Sequence, residues 1–197
     1  MGKHEKQITA FLKKRIDAKR LKHSIGTAKT AVTLARQYGA DEKKAYTAGM
    51  LHDVAKGKCR FGLRKLANEY DITIDEFEMR NPELTHGKLG AIMVSKQLGI
   101  KDKDILSAIR WHTTGRAGMS TLEKVVYIAD LIEPGRDFEG LNDIRKLAKK
   151  NLDAAMVCAL ERVMKFVHSK GFALHPKSIE AYQYFKKQEE KRKLENK

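Results

Sequence analysis

Residues 48–56, Ala-Gly-Met-Leu-His-Asp-Val-Ala-Lys, constrain the fold more than any other stretch. A histidine and an aspartate, His52 and Asp53, stand side by side in an apolar run. Burying either without a partner costs several kcal/mol. Any fold that buries this stretch must therefore bring compensating groups to the pair. A bound cation with further ligands from elsewhere in the chain compensates both residues at once.

The rest of the chain predicts helices. Ile8, Phe11, Leu12, Ile16 and Leu21 recur at three to four residues, as do Ala31, Val32, Leu34 and Ala35, and later Leu122, Val125, Val126 and Ile128. Breakers fall at the ends of such segments: Gly39, Gly99, Pro134-Gly135 and Gly171. Asp41, Asp102 and Ser120 read as N-caps. No alternation is sustained enough to demand a sheet. The expectation is an all-α, single-domain bundle of about seven to nine helices. It divides into an N-terminal helix (1–16), the main domain (17–185) and a charged tail (186–197). The last helix is expected over 176–185, with the tail as frayed helix or disorder. A short helix is expected over 61–70, and no element is assigned to the acidic stretch 71–79.

The formal net charge of +15 favours anionic partners: nucleic acid, a membrane surface or phosphorylated small molecules. The basic residues are spread along the chain rather than gathered in one tract, so charge alone does not make nucleic acid an obligate partner. Cys59 and Cys158 are far apart, with no CxxC pairing, and read as ordinary thiols. No secretory segment follows Met1 and no apolar run approaches membrane length, so a cytoplasmic protein is expected.

Four of the seven histidines, His23, His52, His86 and His112, lie in patterned apolar surroundings on different predicted helices. Asp53 and Asp130 sit in equally apolar contexts, where an aspartate is normally avoided. One histidine on a helix face is ordinarily structural. The set of imidazoles and carboxylates together matches a binuclear metal centre. Such donors suit iron, manganese, zinc, cobalt or nickel. The lack of a thiolate argues against a structural zinc knuckle.

His23, His52-Asp53 and Asp130 resemble the defining pattern of the HD-domain metal-dependent phosphohydrolases, and His86 and His112 resemble the extra pair of its two-metal members. The strings Gly49-Met50-Leu51-His52-Asp53-Val54-Ala55-Lys56, Ile109-Arg110-Trp111-His112-Thr113-Thr114-Gly115-Arg116, Ala129-Asp130-Leu131-Ile132-Glu133-Pro134-Gly135-Arg136 and Leu174-His175-Pro176-Lys177-Ser178 resemble the YqeK family of symmetrical bis(5'-nucleosyl)-tetraphosphatases. The similarity runs over residues 17–185. It implies a single HD-domain helical bundle that cuts diadenosine tetraphosphate into two ADP by a metal-bridged hydroxide. It further implies that His23, His52, Asp53 and Asp130 hold one ion, and that Asp53 bridges to a second, completed by His86 and His112. Two divalent or mixed-valent ions are implied, iron first, with manganese, cobalt, nickel or zinc compatible.

A polyphosphate needs further donors. Lys56 lies one helical turn beyond His52. Arg116 follows His112 in a glycine-flanked loop, Arg136 follows the Asp130 helix and Lys88 follows His86 by two. Arginine grips phosphate oxygens through paired hydrogen bonds. Thr113 and Thr114 offer hydroxyls, and Glu133 a bond to a ribose hydroxyl or to Arg136. His175 reads either as closing the nucleotide end of the pocket or as a helix cap. Asp53, Lys56 and Arg116 are the expected catalytic residues. Trp111 and Tyr127 are expected to pack the core around the metals. The alternatives are another nucleotide phosphohydrolase of the same superfamily, a nucleotidase or cyclic-dinucleotide phosphodiesterase, or a basic helical RNA-binding module. The expected partner is a small nucleotide substrate without a membrane, as a monomer or a homodimer.

Overall fold

A computed structural model describes residues 2–56 and 62–195. Cys59, Phe61 and the expected helix end at Gly57 lie outside the described residues. The helices are α1 (Lys3–Lys13), α2 (Ala18–Tyr38), α3 (Glu42–Leu51), α4 (Leu63–Tyr70), α5 (Glu76–Arg80), α6 (His86–Leu98), α7 (Lys103–Trp111), α8 (Thr121–Ile132), α9 (Leu141–Ala148), α10 (Leu152–Ser169) and α11 (Pro176–Glu195). A 3-10 turn, Pro82–Thr85, leads into α6. Among the described residues there is no strand. None of their helices is long and apolar enough to cross a membrane.

The expected caps form. Asp41 accepts from the Lys43 and Lys44 amides, Asp102 from Asp104 and Ile105, and Ser120 from Glu123. Each satisfies backbone donors that the first helical turn leaves open. Gly39 takes a left-handed φ of 70° at the end of α2, a conformation a side chain would disfavour.

α8 is the axis of the molecule. Leu122, Val125, Val126, Tyr127, Ile128 and Ala129 are all buried, as are Glu123 and Asp130, so this helix is buried on nearly every side. A helix of that kind must be surrounded. α2, α3 and α7 pack on one side of it, with α6 against α7, while α9 and α10 pack on another and α11 closes over α10. Asp130, near the end of α8, therefore points its carboxylate among α2 and α3. α2 and α3 approach closely because Gly49 faces Ala28: a Cβ at Gly49 would lie 2.8 Å from the Ala28 Cα. That contact brings His23 on α2 to His52 at the end of α3.

The structure corrects the number of helices, eleven among the described residues rather than about seven to nine, and corrects the reading at two places along the chain. The acidic stretch contains α5, started by a capping box in which Asp75 and Glu78 exchange bonds with each other's backbone amides. The last helix does not stop near residue 185. It continues to Glu195, because one residue of the charged stretch faces inward: Glu189 is buried and accepts from Asn151 Nδ2 at 3.0 Å and Arg192 Nη2 at 3.0 Å. A buried carboxylate with two donors holds the helix down where composition predicts fraying.

Candidate metal centre

Three of the four histidines are oriented by one device. His52 Nδ1 lies 2.7 Å from the Gly49 carbonyl oxygen and His112 Nδ1 2.6 Å from that of Ile109; His86 Nδ1 bonds the Glu83 carbonyl. Each partner is three residues earlier, and each ring stands at a helix end or a 3-10 turn, where carbonyls lack helical donors. A carbonyl only accepts, so each Nδ1 carries a proton, and in the neutral ring Nε2 is left with a lone pair. His23 sits inside α2, where backbone carbonyls are already bonded. Its Nδ1 instead donates to Glu133 Oε1 at 3.1 Å. Gly135 N holds the other oxygen of Glu133 at 2.6 Å. Gly26 makes room for this carboxylate: a Cβ there would lie 2.6 Å from Glu133 Oε2.

The four Nε2 atoms converge on Asp53. On one side, His23 Nε2 is 3.1 Å from His52 Nε2 and 3.0 Å from Asp130 Oδ1. Both rings face Asp53 Oδ2, at 3.8 and 3.6 Å. On the other side, His86 and His112 Nε2 are 3.0 Å apart and lie 3.3 and 3.5 Å from Asp53 Oδ1. Asp53 is fully buried, and Oδ1 has no hydrogen-bond partner. Thr113 Oγ1 approaches the same two nitrogens at 3.1 and 3.2 Å.

Protons do not resolve this crowding. Burial lowers the His112 pKa to about 4, so at neutral pH its Nε2 presents a lone pair to Asp53 Oδ1. Burial also works against the charge on Asp53. The adjacent His52, His112 and His86 rings and Lys56 outweigh that burial, and the carboxyl is held far below its usual range. For Asp130, burial is outweighed by bonds to His23 and His52, again with a lowered pKa. A buried, ionised, partnerless oxygen facing two imidazole nitrogens is what a cation satisfies. His23, His52 and Asp130 are mutually close enough to share one ion, as are His52, Asp53 and His112. The chemistry of the donors thus fits a resident metal.

The HD domain family model matches residues 20–135, a span holding all six converging residues and Glu133. The chain belongs to the HD domain family. This HD-domain chain is 36% identical over 181 residues to a symmetrical bis(5'-nucleosyl)-tetraphosphatase of Bacillus subtilis, covering 92% of this chain and 97% of that one. It is 38% identical over 172 residues to the protein of the same name from Halalkalibacterium halodurans, covering 87% and 91%. A crystal structure from Clostridium acetobutylicum, described as a predicted HD superfamily hydrolase involved in NAD metabolism, superposes with a TM-score of 0.87 at 41% identity, covering 95% of this chain and 99% of that one. Membership of the HD family implies dependence on a divalent metal.

A cleft of about 760 Å³ opens onto the HD centre, with His23 and Asp53 in its lining. Lys56 and Arg136 line it too. Lys56 Nζ is 3.3 Å from Asp53 Oδ2, and Arg136 bonds Asp130 through Nη2 to Oδ1 at 2.5 Å and through Nε to the backbone oxygen at 2.9 Å. Arg20, which the sequence reading passes over, also lines it and donates Nη1 to Asp53 Oδ2 at 2.7 Å. In the run Lys19-Arg20-Leu21-Lys22 it resembles a solvated helix charge. Its offset of three from His23 was the available signal, since that puts both on one face.

Several other residues expected at the site have their partners away from the lining of this cleft. Arg116 grips the buried Glu123 through Nε at 3.0 Å and Nη2 at 2.8 Å, and does not line the cleft. Lys88 bonds Glu78 Oε2 at 2.9 Å and the Thr73 carbonyl at 2.6 Å. Thr114 is buried and bonds the Gly115 carbonyl. His175 accepts from the Lys177 amide at 3.0 Å, capping α11, with its ring edge-on to Phe77. Glu133 orients His23 rather than Arg136. Tyr127 is buried in the core and Trp111 packs against it. His168 is exposed and outside the site.

If Glu133 orients His23 as described, Glu133→Gln should lower metal affinity or activity by about 10–100-fold, the usual cost of losing an outer partner of a ligand histidine. Metal titration followed by calorimetry measures it. Unchanged affinity and turnover would show that the Glu133 carboxylate does not support the centre.

Proposed function

We propose that this HD-domain protein hydrolyses diadenosine tetraphosphate and related dinucleoside tetraphosphates symmetrically, releasing two ADP. The observation that carries the hydrolytic reading is Asp53, whose two oxygens face separate sets of metal-binding donors at the floor of a basic cleft. The choice of tetraphosphate is supported by the relatives of that name, which the chain matches over nearly their whole length.

In this reading His23, His52 and Asp130 would hold one ion, His86 and His112 the second, and Asp53 both. Two divalent cations so held supply Lewis-acid activation of water and of a phosphoryl oxygen. Iron is proposed first; manganese, cobalt, nickel and zinc suit the same nitrogen and oxygen donors. The chain's own groups do the rest. The four Nδ1 partners fix the orientation of each ring and aim each Nε2 inward. Arg20, Lys56 and Arg136 offset the substrate's charge. Each arginine touches a carboxylate of the centre yet keeps further N–H donors for phosphate oxygens. Thr113 offers a hydroxyl beside His86 and His112. Attack at the second phosphate from either end expels ADP, whose terminal phosphate is a weak base, so no protein acid is assigned to the leaving group.

Protein supplied with iron or manganese should convert diadenosine tetraphosphate to ADP alone, resolved by product chromatography. Equal amounts of AMP and ATP would mean asymmetric cleavage and overturn the assignment.

A further inference from the structure

The cleft extends beyond the metal centre along α2. Lys22, Ile25, Gly26 and Lys29 line it on the α2 side, and Pro134 and Gly135 on the other. The spacing of three and four residues sets these α2 positions along one face. Lys29 lies six residues past His23, roughly 9 Å along the helix axis. A single phosphate at the centre cannot touch it. The volume, about 760 Å³, is in the upper part of the usual range for small-molecule sites, roughly 300–1,000 Å³.

The bland account of this stripe is a solvated helix face. Three observations count against it. α2 has no acidic residue in its 21 positions, so the usual i,i+4 compensation is missing. Lys19, Arg20 and Lys22 stand in its first turns, at the positive end of the helix dipole, where cations are disfavoured. Among the described residues no carboxylate pairs with Lys22 or Lys29. The field is left open to an anion. Beside the two lysines, Ile25 is 37% exposed, one of the few large apolar side chains at the surface. It faces the cleft with Pro134, beside Gly26, whose missing side chain leaves the room that the Glu133 carboxylate fills. Charge and exposed apolar surface occur together, as a nucleoside diphosphate requires.

We infer that this arm of the cleft is the subsite for the half of the substrate that is not attacked: Lys22 and Lys29 bind its phosphates, and Ile25 with Pro134 supports its base. The inference rests on the proposed dinucleoside tetraphosphatase activity and adds the residues that select for a substrate with two nucleosides. The near half contacts the metal centre through Arg20, Lys56 and Arg136. The distal half is held by α2 and Pro134.

The test is steady-state kinetics of the full chain with its metal, on diadenosine tetraphosphate, with ADP as a competitive inhibitor that is half the substrate's length. The double variant Lys22→Glu/Lys29→Glu should raise KM for diadenosine tetraphosphate about tenfold or more, with kcat and the ADP inhibition constant within about twofold of wild type. Lys149→Glu/Lys150→Glu, exposed just past the end of α9 and equal in charge change, should leave KM unaltered. An unchanged KM in the first double variant overturns the subsite. So does an equal rise in the second, or an ADP constant that rises in step with KM, since either would mean a general field effect. A wild-type protein that releases no ADP overturns the functional reading itself, and the subsite with it.

Discussion

Asp53→Ala is expected to abolish measurable hydrolysis and to lose bound metal. One carboxylate faces both donor sets, so its removal opens both at once. Lewis-acid stabilisation of a phosphoryl transition state is worth several kcal/mol, and each 1.36 kcal/mol is a factor of ten, so the loss should reach roughly 10³-fold or more. The alanine variant also deprives Arg20 and Lys56 of their carboxylate partner. Asp53→Asn keeps the shape and removes the charge, so it separates the two effects. Metal content per chain and ADP release are the measurements. A variant that retained two tightly bound ions would show that Asp53 does not join them.

Removing metal from the wild-type protein should lower its thermal stability substantially. A ligand that binds only the folded state adds RT ln(1 + [L]/Kd), about 4 kcal/mol at a thousandfold excess over Kd. For a chain of this size each kcal/mol moves Tm by about 2–4 °C. Chelation should therefore cost on the order of 8–16 °C in a melting scan. The sign of the pH dependence follows from the ligands. Imidazoles bind metal only when deprotonated, so the increment is fully present above their pKa and shrinks as pH falls through it. His52 should yield first. Burial works against its charge, but Asp53 and Asp130 outweigh burial and raise its pKa above the usual imidazole value. His112, lowered to about 4, should stay deprotonated longest. An increment that grew on acidification, or an unchanged Tm under chelation, would contradict metal binding by these rings.

The donor set was legible because its chemistry conflicts with its surroundings. His52, Asp53 and Asp130 are too polar for their apolar neighbours, and only a shared function reconciles them. The helical class was legible from spacing and caps. The partners of the basic residues were far less so, because an arginine in a loop looks the same whether it meets phosphate or a buried carboxylate. Arg116 is held by Glu123, a residue whose own position is fixed by the Ser120 capping box. Lys88 is held by Glu78, buried in a helix that composition did not announce. Arg20 was hidden by the opposite effect, in a run of charges that all look solvated. Glu133 was noticed, but its partner lies 110 residues away, and only the Gly26 gap in α2 lets the two meet. Side-chain pairs closed by tertiary packing leave little trace in local sequence.

The i−3 carbonyls that aim His52, His86 and His112 bear on mutational tolerance. Their contribution comes from the main chain, so it belongs to no residue type. Glu83 can change identity without altering the acceptor offered to His86, and Ile109 is restricted by its burial rather than by His112. Gly49 is confined for another reason, its contact with Ala28. Only His23, whose orienting acceptor is a side chain, depends on a second position keeping its chemistry. A saturation scan of the positions that orient the four rings would thus register Glu133 as chemically irreplaceable and Glu83 as freely variable, though both perform the same task.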